Sequence, residues 1–163
     1  MRRAWIAAAA TALALFAATA VPGCSADSRE QEPGLKAMLR DLAKAVVAND
    51  KPTIQNYIVV TAGMAGSPMA AKDADTPEGR ELLYEANRRW IRLCFRDSGI
   101  QTDADVETFM QAIRFSIDGK NAWVNFEIEG AGRRVAEIVT LRLTNTEKGW
   151  RIFEYGREMK GKR

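Results

Sequence analysis

The 163-residue chain contains no histidine and only two cysteines. Without an imidazole it has no Ser-His-Asp or Cys-His centre, no histidine-rich metal site, and no side chain whose ordinary pKa lies near neutrality. Two cysteines are too few for a structural zinc site. A surplus of one charge is also missing. The 24 lysines and arginines against 21 acids give a formal +3, but Arg2 and Arg3 belong to the N-terminal segment, and the 140 residues from Cys24 onward hold 22 basic and 21 acidic side chains. A near-neutral domain offers no general footprint for polyanions, so nucleic acid is not an expected partner. A phosphate-cradling glycine loop, a nucleophile elbow and an aromatic-basic platform are absent as well. The length suits one domain with a single core.

What the chain does have begins at its N-terminus. Arg2-Arg3 precede eighteen uncharged residues, Ala4 to Val21, and then Pro22, Gly23 and Cys24. A basic start, an apolar stretch and a small-residue end are the layout of an export signal. Ten of the eighteen residues are alanine, which contributes little transfer free energy, so the stretch is weak as a permanent anchor and adequate as a signal. The arginine pair alone also occurs in twin-arginine signals, but its surroundings do not support that route.

Val21-Pro22-Gly23-Cys24 resembles a bacterial lipobox: aliphatic, then two residues ending in a small one, then cysteine. Pro22 departs from the usual small or hydroxyl residue at its position. The resemblance implies cleavage after residue 23 and acylation of Cys24, with two or three chains giving a stable membrane anchor where one would not. An ordinary cleaved signal with an incidental Cys24, or an uncleaved anchor, are the alternatives. Ser25 stands where an aspartate would imply retention in the inner membrane. The resemblance therefore implies a lipid-anchored protein of the cell envelope, on the outer membrane facing the periplasm if the host has two membranes. With Cys24 acylated, Cys94 has no intramolecular partner and is expected as a small buried core residue.

Residues 24–34 are polar and end in Pro33-Gly34, which predicts an extended tether reaching roughly 35 Å. From Leu35 the apolar residues recur at helical spacing (Leu35, Met38, Leu39, Leu42, Ala45, Val46), and Asn49-Asp50 ends the stripe. A short second helical turn brings in Ile54, Tyr57 and Ile58, and small residues 62–75 predict a loop. Thr76-Pro77-Glu78 is a helix start, Ser98-Gly99 a stop, and Leu82, Leu83, Ala86, Trp90, Leu93 and Cys94 are the expected buried face between them. Beyond residue 100 the period becomes 2. Phe109, Ile113, Phe115 and Ile117 share one parity, Asp118-Gly119 turns the chain, and Ala122, Val124, Phe126 and Ile128 share the face of a partner strand. A third strand carries Val135, Val139, Leu141 and Leu143, and a fourth runs through Trp150-Arg151-Ile152-Phe153-Glu154-Tyr155. Helices followed by strands predict an α+β fold, with two to three N-terminal helices packed on a curved four-stranded antiparallel sheet.

This order of elements, with its GWRIFEY ending at Gly149–Tyr155, resembles the nuclear-transport-factor-like and cystatin-like α+β fold over roughly residues 35–156, leaving 157–163 as a basic tail. The resemblance implies a space between helix and sheet, used for small-ligand binding or, in some members, for isomerase-like catalysis.

Four features are candidates for chemistry. Glu137 shares parity with Val135, Val139, Leu141 and Leu143, so it is expected to face the core side, where a carboxylate needs a partner or a raised pKa. It is a candidate ligand anchor or base; a strand end in water, or an ion pair, would remove that role. Arg88, Arg92 and Arg96 are each four apart on the long helix and are candidates for an anionic ligand on a lipid, lipopolysaccharide or partner protein, set against a solvated face favoured by the helix dipole. Asp103, Asp105 and Glu107 alternate like three carboxylates on one strand face, but lack the glycine of a calcium loop. Trp123 falls on the outward parity of its strand and is a candidate partner surface. No metal and no cofactor is expected. The sequence favours a non-catalytic, membrane-anchored domain that binds a small ligand or an envelope partner. A pocket enzyme with Glu137 as base, or a structural interaction module around Trp123, are the alternatives.

Overall fold

A computed structural model of the chain describes residues 26–64, 76–129 and 136–160. The signal segment 1–23, Cys24, Val135 and most of the predicted 62–75 loop lie outside the described residues.

The first helix, α1 (Ala26–Ala48), starts nine residues earlier than the apolar stripe suggests. Residues 26–34, expected as extended tether, are its first turns and hold Pro33 inside the helix. Tertiary contacts account for this. Ser28 Oγ donates to the Ile117 carbonyl at 3.4 Å, Asn145 Nδ2 donates to Gln31 Oε1 at 3.2 Å, and Lys36 pairs with Glu32 one turn away. Leu35, Met38, Leu39, Leu42, Ala45 and Val46 are all buried, as their spacing requires. The helix ends in a Schellman motif: Asn49, in the left-handed region at φ 55°, donates its N–H to the Val46 carbonyl, and Asp50 donates to that of Ala45.

Asp50 then caps α2 (Lys51–Asn56) and leads into a strand that the sequence pattern did not reveal, β1 (Ile58–Met64). The sheet therefore has five strands and is mixed, not four-stranded and antiparallel. Its order is β1-β5-β4-β3-β2, with β2 (Arg114–Asp118), β3 (Asn121–Glu129), β4 (Ala136–Thr146) and β5 (Gly149–Met159) antiparallel in sequence and β1 parallel to β5 at the edge. The β2–β3 hairpin forms at Asp118-Gly119 as expected. β5 runs to Met159, so Arg157, Glu158 and Met159, expected in a tail, pair with Val139, Ile138 and Glu137.

The long helix α3 (Pro77–Asp97) has the predicted ends, with Thr76 accepting the Gly79 N–H at 3.0 Å. Its buried face is turned: Cys94 is buried as expected, but Asn87, Arg88, Ile91 and Phe95 point inward with it, while Leu82, Ala86 and Leu93 are exposed. The helix is apolar on two stripes, and the one carrying Phe95 fits the aromatic centre formed with Phe109 and Phe126, whose ring centroids lie 5.1–5.4 Å apart. Phe109 reaches this cluster from a helix, α4 (Asp103–Ala112), where the alternating acids had suggested a strand. Thr102 and Asp105 form a capping box, and Phe109 and Ile113 follow at helical spacing. The helices cover one face of the sheet, and Val124, Phe126, Val139, Leu141, Leu143 and Ile152 fill the space beneath them.

Candidate functional site

Two ends of the molecule can be told apart. The β2–β3 and β4–β5 turns lie beside the start of α1, joined to it through Ile117 and Asn145. At the other end β3 finishes, β4 begins, and the α3–α4 connection Ser98–Gln101 crosses between them.

Three clefts rim that connection. The first, about 340 Å³, lies between the C-terminal ends of α1 and α3 and is lined by Val46, Val47, Asn49, Arg92, Arg96, Ile100 and Gln101. The second, about 600 Å³, shares Arg96 and Gln101 with it and continues past Asp97 to Glu127, Ile128 and Ala136. The third, about 610 Å³, shares Ser98 and Glu127 with the second and runs along β3 to Phe109, Arg114, Asn125 and Thr140.

The three candidate arginines separate. Arg88 turns into the fold, 7% exposed, with Nη1 donating to Gln55 Oε1 at 2.6 Å and Nη2 bridging Glu81 at 3.2 Å and Glu85. Burial works to lower its pKa, but the bonds to Glu85 and Glu81 outweigh it and the net shift is upward; Arg88 in turn holds Glu85 below the ordinary carboxylate value. Arg88 is thus a structural ion-pair centre, and it lines none of the three clefts. Arg92 and Arg96 make no salt bridge to a described residue, although the charge of Arg92 acts on Glu85, and the Nε atoms of Arg88, Arg92 and Arg151 are buried without a partner.

Glu137 does share the helix-facing side with Val139, Leu141 and Leu143, and it has the partner that position demands. Arg157 Nε lies 2.5 Å from its carboxylate, and Arg157 Nη2 lies 3.5 Å from Asp97. Beneath this trio sits Cys94, fully buried and unpaired, its thiol pushed up to about 12 chiefly by desolvation. Next to it Tyr155 stacks on Trp90, with centroids 3.9 Å apart, and donates 2.6 Å to the buried Asn87. The sequence reading missed this group. Tyr155 and Arg157 share parity with Leu141 and Val139 through strand pairing, and Asn87 lies on the Ile91–Cys94–Phe95 stripe, so the signal was present once the helix face was known.

The acids Asp103, Asp105 and Glu107 do not converge: Asp105 accepts from Thr102, and Glu107 pairs with Arg40 at 2.8 Å. Among the described residues no three cysteine, aspartate or glutamate side chains gather as a metal site. Trp123 lies on the sheet face away from the helices, half-buried and opposite Ser116 and Arg142, and the latter pairs with Glu154. Among the described residues the large exposed apolar side chains are Leu82, Leu93 and Met159, so Trp123 does not centre an apolar patch.

The chain matches no protein-family model, and no curated protein matches it. Solved structures do. An NTF2-like protein of unknown function from Silicibacter pomeroyi is 16% identical, with 81% of this chain and 98% of that chain covered at a TM-score of 0.45. A cystatin-like fold protein from Burkholderia xenovorans is 11% identical over 84% and 97%, TM-score 0.48. An NTF2-like protein with a cystatin-like fold from Novosphingobium aromaticivorans is 10% identical over 83% and 85%, TM-score 0.42.

Proposed function

We propose that this protein is an exported lipoprotein of the cell envelope, held at a membrane by an acylated Cys24, whose α+β domain binds a small ligand or an envelope partner without catalysing a reaction. The observation that carries the binding reading is the chain of three clefts around Ser98–Gln101, at the end of the fold opposite the start of α1. An anchor at Cys24 precedes Ala26 by two residues, so the anchored end and the end with these three clefts stand apart by about the length of α1, roughly 30 Å from Ala26 to Val46. The domain would sit directly at the bilayer with these three clefts away from it, while a further cleft of about 410 Å³, lined by Gln31, Gly34, Asn145 and Trp150, lies at the anchored end.

Acid-base catalysis at Glu137 is disfavoured because Glu137 lines none of the three clefts and its Oε2 is ion-paired with Arg157.

The anchoring half of the proposal is tested by the intact mass of the full chain extracted from membranes. A mass corresponding to Cys24–Arg163 plus acyl chains, with Cys24→Ser leaving the protein in the soluble fraction, is the expected result. A mature N-terminus elsewhere, or an unmodified cysteine, would sink it. The binding half is tested by native mass spectrometry of the same preparation, in which a reproducible adduct retained by Glu137→Gln is expected, since that carboxylate lines none of the three clefts.

A further inference from the structure

We infer that the cleft between the C-terminal ends of α1 and α3 is an anion site, in which Arg92 and Arg96 grip a phosphate or carboxylate carried on a small soluble molecule. This deepens the binding reading above and rests on it.

The argument starts from charge accounting along the surface. Along α3 from Glu81 onward the acids are occupied, Asp97 by Arg157 and Glu81 and Glu85 by Arg88, while Asp50 at the end of α1 accepts from Thr53. Arg92 and Arg96, one turn apart on α3 and both lining the cleft, form no salt bridge to a described residue; Glu85 is near enough to feel the charge of Arg92 but is bonded to Arg88. Two guanidiniums on one wall of a cleft, neither bonded to a carboxylate, leave N–H donors for an oxyanion that enters it.

The ordinary use for arginines in such a place is to bond the free carbonyls at helix ends. Here several of those carbonyls already have a donor. At α1 the N–H groups of Asn49 and Asp50 take the carbonyls of Val46 and Ala45. At α3 Gly99, at φ 93°, donates to Arg96 and Ile100 donates to Phe95 in a second Schellman motif. The guanidiniums are therefore free to point their forks at a ligand.

The remaining lining defines its class. The side-chain amides of Asn49 and Gln101 add neutral donors and acceptors, and Val46, Val47 and Ile100 give an apolar wall. A cleft of about 340 Å³ with this lining takes an anionic head with a short apolar portion. Because the cleft lies at the far end of α1 from Cys24, the head group of the anchoring bilayer is not within its reach, and a soluble source fits better.

The test uses the full chain in detergent and titrates inorganic phosphate, hexyl phosphate and hexanoate by calorimetry, with phosphatidylglycerol vesicles as a separate arm. Saturable binding of at least one soluble probe, weakened about tenfold or more by Arg96→Gln and by Arg92→Gln but not by Arg89→Gln, is the expected result. Arg96 is exposed, so its variant keeps the fold if Arg92→Gln does not; circular dichroism checks both. The inference is overturned if the folded protein binds none of the soluble probes, if binding is indifferent to both arginines, or if binding is seen with the vesicles alone. The titration reads the domain whether or not Cys24 is acylated, so failure of the anchor and failure of this site are separate outcomes.

Discussion

Tyr155 Oη donates a 2.6 Å hydrogen bond to Asn87 Oδ1 at a point where Asn87 is 2% and Tyr155 6% exposed. The bond ties the strand at the centre of one half of the sheet to the middle of α3, and the stack of Tyr155 on Trp90 lies over it. Burial pushes the Tyr155 hydroxyl above its ordinary pKa, so it stays a donor throughout the physiological range. A polar contact this far inside fixes which face of α3 meets the sheet. It explains why Leu82 and Leu93 are outside while an asparagine is in.

Replacing Tyr155 with Phe removes one donor and keeps the ring. The stack survives, but the buried Asn87 loses a bond, and a cost of about 1–3 kcal/mol is expected. Urea titration of the variant should show a lower midpoint at an unchanged slope. An unchanged midpoint would mean that the bond contributes nothing to the choice of helix face.

Arg88 stabilises by a different route, since its partners Glu81 and Glu85 are more than half exposed while its own side chain is 8% exposed. Arg88→Ala frees those carboxylates into water, where they are comfortable, so the loss is mainly of packed stem and of the bond to Gln55. About 1–3 kcal/mol is expected, against about 0.5 kcal/mol or less for the exposed Arg89→Ala. Thermal melts of the two variants side by side decide it, and equal melting temperatures would refute the assignment of Arg88 as a structural centre.

The described carboxylates with displaced pKa values, Asp50, Glu85, Asp105, Glu107 and Glu127, all shift the same way, downward from 3.8 or 4.5. The cause is hydrogen bonding to Thr53, Arg88, Thr102, Arg40 and Lys160 respectively. A carboxylate whose folded pKa lies below its unfolded one contributes stability above the unfolded value and loses it as pH falls through the folded value. Stability should therefore be level between about pH 5 and about pH 7 and decline below about pH 4.5, with the acid decline smaller in Asp105→Asn and Glu107→Gln. Denaturation midpoints measured from pH 3 to 7 test this; a decline that begins near neutrality would contradict it.

Much of this fold was legible because burial follows periodicity. The stripe from Leu35 to Val46, the cap at Thr76 and the faces of β3 and β4 came straight from spacing. What escaped depended on partners distant in sequence. Ile58-Val59-Val60 is a short β-branched run whose strand exists because β5, ninety residues on, offers a free edge. The first turns of α1 need Ile117 and Asn145 to hold them. Thr102–Asp105 differs in kind, a local capping box that outweighs the alternation of the acids around it. For the site, parity placed Glu137 correctly, but its neutralisation by Arg157 lay across a strand pair. The arginine row was visible as a row, and only packing could show that Arg88 belongs to the fold while Arg92 and Arg96 do not.

Cys94 gives the last prediction, because its environment sets both its reactivity and a pH limit. The thiol is fully buried and holds its proton to about 12, against 9.0 when exposed. Only the thiolate attacks, so in the folded protein a disulfide reagent at pH 8 should find Cys94 silent, and in denaturant the same cysteine should react at once. Sequestering the proton also has a thermodynamic consequence. Between pH 9 and pH 12 the folded state holds a proton that the unfolded state releases, so stability falls as pH rises across that window. Cys94→Ala abolishes this part of the alkaline loss, at the cost of a small cavity beneath Arg157. Reagent uptake by the native protein at the rate seen in denaturant would show that α3 opens readily at this point, and would remove the basis for treating the Asn87–Tyr155 bond as the lock on its face.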